Sequence, residues 1–290
     1  MEDSGPRQEP VEENTLYKMN VLASRVVFRD TGAGEPVVLV HGWGGSGYDW
    51  KRLIPYFDDQ YRVIVPDLPG FGNSDKPDIA YNLDYYLRFM EAFIAELGVS
   101  RFHLAGHSMG GQIAAAYALH HPAQVASLVL LDPAGVSHQV PWFYRAASRP
   151  WIVYPLLRFM PLFLFEFWQR RFGPYYDSSF LSHEDIKGHY HSYGHKPGAR
   201  AATRTFKNIV ADPAAWLDNR IAEIKAPALV VWGRQDPLLP LEMSEAFIKC
   251  LPGARLEVLE RCGHCPQEEK PEELADLCTS HFRDARLSSG

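Results

Sequence analysis

Short apolar runs alternate with longer amphipathic stretches along most of the chain, and this alternation constrains the fold more than any other feature. Several runs are apolar at almost every position, which is typical of strands covered by helices on both faces. The pattern predicts an α/β fold with a mostly parallel central sheet flanked by helices. The predicted strands are 25–28, 36–40, 62–65, 102–105, 128–131, 228–232 and 255–259. The predicted helices are 48–57, 83–97, 110–121, 213–224, 241–250 and 271–284.

The alternation breaks between residues 135 and 204, a stretch rich in aromatic residues and arginines. We expect this stretch to form a helical lid, or cap, inserted into a core made of residues 16–134 and 205–290, behind a flexible tail of residues 1–15. Within the lid, Trp142, Phe143 and Phe163 are candidate contacts for substrate. The basic, aromatic character of the lid also predicts lipophilic acyl groups as ligands and a possible peripheral contact with lipid surfaces.

One part of the lid, residues 151–168, is apolar enough to suggest a transmembrane helix. It barely reaches the length needed to cross a bilayer, and it contains Arg158, Glu166 and two prolines. The sequence therefore argues against a membrane span there.

Composition excludes some classes of function. The 290 residues are enough for one α/β domain with an insertion. A formal charge of −6 argues against nucleic acid as a partner, which would call for a basic surface. The first residues lack the apolar region of a secretory signal, so we expect a cytoplasmic location, although they could also be the mature end of a processed precursor. The four cysteines are expected to be free thiols.

The segment Gly106-His107-Ser108-Met109-Gly110 has the pattern G-x-S-x-G between a predicted strand and a predicted helix. In that context the pattern is typical of a nucleophile elbow, where the serine occupies a sharp, strained turn. The helix that follows provides N–H groups and a positive dipole end that stabilise a developing oxyanion. Ser108 is therefore the candidate nucleophile.

Together with three other landmarks, the elbow makes the chain resemble the α/β-hydrolase superfamily over roughly residues 25–282. His41-Gly42-Trp43-Gly44-Gly45 stands where that family has its oxyanion loop, and residues 67–75 resemble its D-x-x-G-x-G-x-S segment. Gly233-Arg234-Gln235-Asp236 and Gly263-His264 resemble its acid and base segments. The resemblance implies the α/β-hydrolase fold, a catalytic triad and an oxyanion hole.

A serine hydroxyl needs a base within hydrogen-bond reach, and the base needs an orienting carboxylate. His264 follows the last predicted strand and comes after Ser108 and the acid, in the order typical of this fold. Asp236 is the favoured acid, and Asp132, at the end of an earlier strand, is its competitor. His107 and His41 are interpreted as supporting residues.

The oxyanion hole is expected to use the backbone N–H groups of Trp43 and Met109, and the Trp43 side chain is also a candidate wall of the acyl pocket. No cofactor is expected. The C-x-x-C spacing of Cys262 and Cys265 brackets His264, where a metal would block the base, so neither zinc nor redox chemistry is predicted. The lid histidines 183, 189, 191 and 195 are interpreted as a solvated surface rather than a metal site.

With a serine at the elbow, the resemblance implies acyl transfer to water, so the expected activity is that of a carboxylic ester hydrolase, an esterase or lipase-like enzyme acting on a small-molecule ester. A carbon–carbon bond hydrolase of ring-cleavage products also fits Ser108, Asp236 and His264, although Cys265 stands where those enzymes usually have an aromatic residue. A non-catalytic hydrolase-fold receptor is the third possibility, because a fold does not determine a function. No oligomeric state is predicted.

Overall fold

The computed structural model describes residues 16–57, 60–135, 149–192, 194–210, 217 and 220–287. These residues contain one eight-stranded sheet with the order β1-β2-β4-β3-β5-β6-β7-β8. β1 pairs antiparallel with β2 and β2 with β4, whereas every other pairing is parallel. The strands are β1 (Leu16–Val21), β2 (Ser24–Thr31), β3 (Glu35–Val40), β4 (Tyr61–Pro66), β5 (Phe102–His107), β6 (Val125–Leu131), β7 (Ala228–Gly233) and β8 (Arg255–Leu259).

The mostly parallel sheet confirms the predicted fold class, and all seven predicted strands are present. The sequence missed β1 because that strand lies at the edge of the sheet and buries only Met19 and Val21. An edge strand needs few apolar residues, so its pattern is weak.

Helices cover both faces of the sheet. In the described residues they are α1 (Leu83–Glu96), α2 (Met109–His120), α3 (Pro150–Phe159), α4 (Leu162–Phe172), α5 (His183–Tyr190), α6 (Lys196–Thr205), α7 (Glu242–Cys250), α8 (Pro266–Glu269) and α9 (Pro271–Leu287). Short 3₁₀ helices span Gly47–Trp50, Ile54–Tyr56 and Ile221–Glu223, and a π-helix spans Phe206–Val210.

The predicted helix over residues 48–57 was wrong, because two 3₁₀ helices occupy this stretch. Pro55 has no N–H to donate within a continuous α-helix. The side chains of Ser46 and Asp49 also form a capping box that starts and fixes the first short helix. Most of the predicted helix over residues 213–224 lies outside the described residues.

The side chains of β3 are buried on both faces of the sheet, which explains why the central strands are apolar at nearly every position of the sequence. Val37 and Leu39 pack into one buried cluster, and Val38 and Val40 pack into a second. β5 and β7 are buried at every position. The core therefore lies on both faces of the sheet and holds the ends of the central strands rigidly.

Helices α3 to α6 lie between β6 and β7, where the sequence predicted the inserted lid. The start of that stretch, residues 136–148, and the tail of residues 1–15 lie outside the described residues, as do the candidate contacts Trp142 and Phe143. In the part of the chain that is described, no single helix is long and apolar enough to span a membrane. α3 and α4 are bent by 113° relative to each other.

Candidate active site

The turn at Ser108 has the geometry that the glycine pattern predicts. Ser108 lies between the end of β5 and the start of α2, with φ of 52° and ψ of −116°, a left-handed conformation that side chains rarely adopt. A Cβ atom at Gly106 would lie 2.2 Å from the carbonyl oxygen of Gly110, and one at Gly110 would lie 2.2 Å from that of Val40. Both glycines are therefore required by close packing around the serine.

His264 and Asp236 are hydrogen-bonded to each other. Nδ1 of His264 lies 2.6 Å from Oδ2 of Asp236, and both side chains are buried. The carboxylate is held in turn by the backbone N–H groups of Leu238 and Leu239, which donate to Oδ1 at 2.7 Å and 2.9 Å. Because the carboxylate can only accept a hydrogen bond, Nδ1 of His264 carries the proton and donates it. The other ring nitrogen, Nε2, is then free to accept a proton.

Asp132, the competing acid, lies immediately beside this pair. One side-chain atom from each of Asp132, Asp236 and His264 falls within 4.8 Å of the other two. Oδ1 of Asp132 accepts the backbone N–H of Gly233 at 2.9 Å. Burial, and then the charge of Asp236, raise the pKa of Asp132 well above its usual range. His264 is therefore hydrogen-bonded to Asp236, and Asp132 lies beside the pair with a raised pKa.

The loop after β3 lies directly against the elbow. A Cβ atom at Gly42 would be 2.9 Å from Nδ1 of His107 and 3.3 Å from Cβ of Ser108. The indole N–H of Trp43, the next residue, donates to the carbonyl of Ala202 at 2.8 Å. Met109 begins α2, where the first N–H groups have no partner within the helix. Both expected oxyanion donors therefore stand on segments that meet at Ser108.

Two buried histidines support these loops. Nε2–H of His107 donates to the carbonyl oxygen of His264 at 2.6 Å, which ties the elbow to the loop of the proposed base. Nε2 of His41 accepts the N–H of Leu68 at 3.0 Å, and its Nδ1–H donates to the carbonyl of Gly42 at 2.8 Å. Burial lowers the pKa of both imidazoles, so each is held neutral.

A cavity of about 470 Å³ opens beside Ser108. Ser108, His264 and Trp43 line it together, and α3 and α4 contribute a largely apolar wall. The wall consists of Ile152, Val153, Leu156 and Leu157 on α3, Phe165, Trp168 and Gln169 on α4, and Met160 between the two helices. Leu238, Leu239 and Met243 extend the apolar surface from the side of Asp236. Such a cavity fits an apolar ligand with a few polar groups to orient it.

The expected contact of Phe163 with substrate was wrong. This side chain is 74% exposed and does not line the cavity. It lies on the outward face of α4, whereas Phe165, Trp168 and Gln169 face the cavity. Aromatic density in the sequence indicated the right helix, but the direction of each side chain depends on how the helix is docked.

The interpretation of the lid histidines as a solvated surface was wrong for His189. Its side chain, on α5, is 7% exposed and lines the cavity, with Nε2 3.2 Å from Oε2 of Glu268 and 3.9 Å from Oδ1 of Asp49. Burial alone lowers the pKa of His189, but the two carboxylates outweigh it and raise the pKa to about 9. Burial raises the pKa of Asp49 to about 7. The sequence could not reveal this cluster, because its three residues lie far apart in the chain.

The four cysteines are free, as expected. Cys262, Cys265 and Cys278 are buried, and burial raises the pKa of each thiol. A protonated thiol is a poor nucleophile and a poor metal ligand. Cys265 lines the cavity next to His264, so it shapes the pocket as a small apolar side chain.

Comparison with known proteins identifies the family of this fold. The family model of the α/β-hydrolase fold matches residues 35–271. A 2-hydroxy-6-oxononadienedioate/2-hydroxy-6-oxononatrienedioate hydrolase from Burkholderia vietnamiensis is 34% identical over 276 residues, which cover 89% of this chain and 91% of the relative. Lipase 1 of Psychrobacter immobilis is 32% identical over 272 residues, covering 89% and 81%. The crystal structure of a membrane phospholipase A, described as a bacterial virulence factor, matches with a TM-score of 0.75 and 28% identity, covering 93% and 86%. The chain is thus a member of the α/β-hydrolase family.

Proposed function

We propose that this hydrolase cleaves carboxylic esters with lipophilic acyl groups through an acyl-enzyme intermediate, with Ser108 as nucleophile. The observation that carries the proposal is the joint placement of three features around one cavity. Ser108 stands on a strained elbow, His264 is oriented by Asp236, and the space they face is lined mainly by apolar side chains.

The chemistry follows from the protonation state of the pair. With its proton on Nδ1, His264 accepts the hydroxyl proton of Ser108 at Nε2 as Oγ attacks the ester carbonyl. The backbone N–H groups of Trp43 and Met109 donate to the oxyanion. His264 then protonates the departing alcohol, and a water activated by the same Nε2 releases the acid. Asp236 keeps the ring oriented and stabilises the imidazolium.

The acyl preference is supported by the wall formed by α3 and α4. Those helices present Val153, Leu157 and Phe165 to the cavity, all less than a tenth exposed. We propose that helices α3 to α6 act as the lid of the site and that the acyl chain packs against this wall. The similarity to proteins named as a lipase and a membrane phospholipase A supports a lipophilic ester as substrate.

Carbon–carbon bond hydrolysis is the second candidate, since several relatives carry names of that type. The relatives with those names share the fold of this chain. The three substrates in those names are carboxylates, and two of them are dicarboxylates. Among the described residues that line the cavity there is no lysine or arginine, whereas Asp49 and Glu268 both line it. His189 is the cation nearest to those carboxylates and is already paired with them. This charge pattern suits an uncharged ester better than a dianion.

The test compares p-nitrophenyl butyrate with a 2-hydroxy-6-oxodienoate as substrates for the wild type and for Ser108→Ala. The proposal expects many turnovers of the ester, a much lower kcat/KM for the dienoate, and loss of both with Ser108→Ala. A higher kcat/KM for the dienoate would favour the second candidate. A single turnover of either compound would favour a receptor.

A further inference from the structure

The outer surface of α3 and α4 is unusually apolar. Ten of the thirteen large apolar side chains that are exposed in the described residues lie between Trp151 and Tyr176. We call this surface the aromatic face and define it by six exposed rings, those of Trp151, Phe159, Phe163, Phe167, Phe172 and Tyr176. These rings are 47% to 74% exposed. Apolar side chains at this density on a surface mark an interaction site.

Arginines accompany the aromatic rings. The guanidinium of Arg149 stacks on Trp151, that of Arg158 on Phe159 and that of Arg171 on Phe172, at 5.1 to 5.4 Å from the ring centres. Residues 149–176 carry four arginines and one glutamate, although the whole chain has a formal charge of −6. The aromatic face is therefore positive on an acidic molecule, and its cations stand beside its apolar rings.

A basic groove adjoins the aromatic face at Trp151. The groove is also lined by Arg200, Arg204 and Lys207, with one acidic side chain, Asp78. Asp78 forms ion pairs with both arginines, and the ammonium group of Lys207 extends the positive surface. This arrangement complements anionic headgroups placed next to an apolar layer.

The same two helices line the cavity on their inner side. Ile152, Leu156 and Trp168 both line the cavity and are 43% to 54% exposed, so they reach from the cavity to the outer surface. The two helices are bent by 113° relative to each other, so together they do not form one straight membrane span. A lipophilic molecule on this surface would reach Ser108 without passing through bulk water.

We propose that the aromatic face docks on the surface of an anionic phospholipid bilayer, with the rings inserted among the acyl chains and the arginines at the headgroups. Exposed aromatic rings beside arginines are typical of segments that lie in the bilayer interface, and anionic lipids attract such basic surfaces. Docking does not depend on catalysis. The idea that docking supplies the substrate rests, in addition, on the proposed ester hydrolysis.

The experiment is sedimentation of the full chain with vesicles of phosphatidylcholine alone, or of phosphatidylcholine with about 30 mol% phosphatidylglycerol. We expect binding to the anionic vesicles that weakens in high salt, together with a blue shift of tryptophan emission. The double variant F159S/F167S should bind the anionic vesicles at least about tenfold more weakly than the wild type, because two rings that enter the bilayer are lost. Neither ring lines the cavity, so hydrolysis of p-nitrophenyl butyrate in vesicle-free solution should be unchanged.

Two controls separate docking from other causes. Leu287→Ser removes an apolar side chain that is 84% exposed outside the aromatic face, and it should bind as the wild type does. Ser108→Ala should also bind normally, so a failure of the proposed reaction would leave the docking result intact.

Three results would overturn the proposal. The first is no binding to anionic vesicles. The second is equal binding by F159S/F167S and Leu287→Ser. The third is a stable dimer in vesicle-free solution that F159S/F167S converts to a monomer, because a second copy of the chain would then cover the aromatic face.

Discussion

At the scale of single residues, the proposed reaction depends on which carboxylate orients His264. Asp236 accepts the hydrogen bond from Nδ1, and two backbone N–H groups donate to its other oxygen and hold it in place. Asp132 is fully buried beside it, accepts a single backbone N–H from Gly233, and has a raised pKa. Two carboxylates so close together do not both carry a charge easily, which agrees with the raised pKa of Asp132.

Substitution of each acid by asparagine tests this assignment. Asp236→Asn keeps the shape but no longer holds the imidazole in the tautomer with its proton on Nδ1, so we expect kcat to fall by roughly 10³- to 10⁴-fold. Asp132→Asn should cause a much smaller loss, since it leaves the His264–Asp236 bond in place. Steady-state kinetics with p-nitrophenyl butyrate provide the comparison, with circular dichroism to show that both variants are folded. Equal losses in the two variants would contradict the assignment.

At the scale of structural elements, the strand–turn–helix unit around Ser108 was predictable because its constraints are local. The sharp turn between β5 and α2 requires a glycine two residues before Ser108 and another two residues after it. Because these residues are close in sequence, the requirement is visible as a short motif. The residues of the His189 cluster lie on α5, on α8 and in the first 3₁₀ helix. Their approach is set by tertiary packing, which leaves no short pattern in the sequence.

Gly106→Ala is expected to destabilise the protein strongly. The new methyl group would meet backbone atoms of Gly110 at 2.2 Å, and backbone cannot move aside cheaply, so we expect a loss of about 3 kcal/mol or more. Gly98→Ala is the matched control, because nothing lies within 4 Å of the new Cβ and only the positive φ of 64° opposes it. Thermal unfolding should show a far larger drop in Tm for Gly106→Ala. Similar Tm values would mean that the elbow is looser than described.

The His189 cluster should make stability depend on pH. Because the folded pKa of His189 is about 9 and the unfolded value is 6.5, its contribution is fully present below pH 6.5 and is lost as pH rises through 9. The upper limit of that contribution is about 3 kcal/mol. Urea unfolding of the wild type and of His189→Gln should therefore give midpoints that converge between pH 6.5 and pH 9. A difference that is constant over this range would show that the histidine is neutral in the folded protein.

At the scale of the whole molecule, the cavity exists because two parts of the chain meet. The sheet supplies Ser108, Asp236 and His264 at the carboxyl ends of its strands, and α3 to α5 supply most of the opposite wall. In α/β folds, ligands bind at the carboxyl ends of the parallel strands, so the sequence could indicate both the sheet and the position of the site. The wall could not be predicted in the same way, and Phe163 illustrates the error, since its helix docks with that residue outward.

The dependence of kcat/KM on acyl-chain length should report the size of this cavity. Each methylene buried against the apolar wall is worth about 0.8 kcal/mol, or about fourfold in kcat/KM, until the space is filled. A series of p-nitrophenyl esters from acetate to palmitate should therefore rise to an optimum and then level off or fall. Leu157→Phe adds volume inside the cavity and should move the optimum to shorter chains. Leu164→Phe, on the exposed side of α4, is the control and should leave it unchanged. The same optimum in all three proteins would mean that the acyl chain binds elsewhere.

Covalent labelling by a p-nitrophenyl alkylphosphonate, followed by mass spectrometry of the intact chain and its peptides, tests directly whether Ser108 is the nucleophile. Attack by Oγ on phosphorus forms one serine–phosphonate bond and releases p-nitrophenolate. We expect a single label on the peptide that contains Ser108 in the wild type, and none there or elsewhere in Ser108→Ala. A wild type that remains unlabelled, or a label carried by another residue, would contradict it.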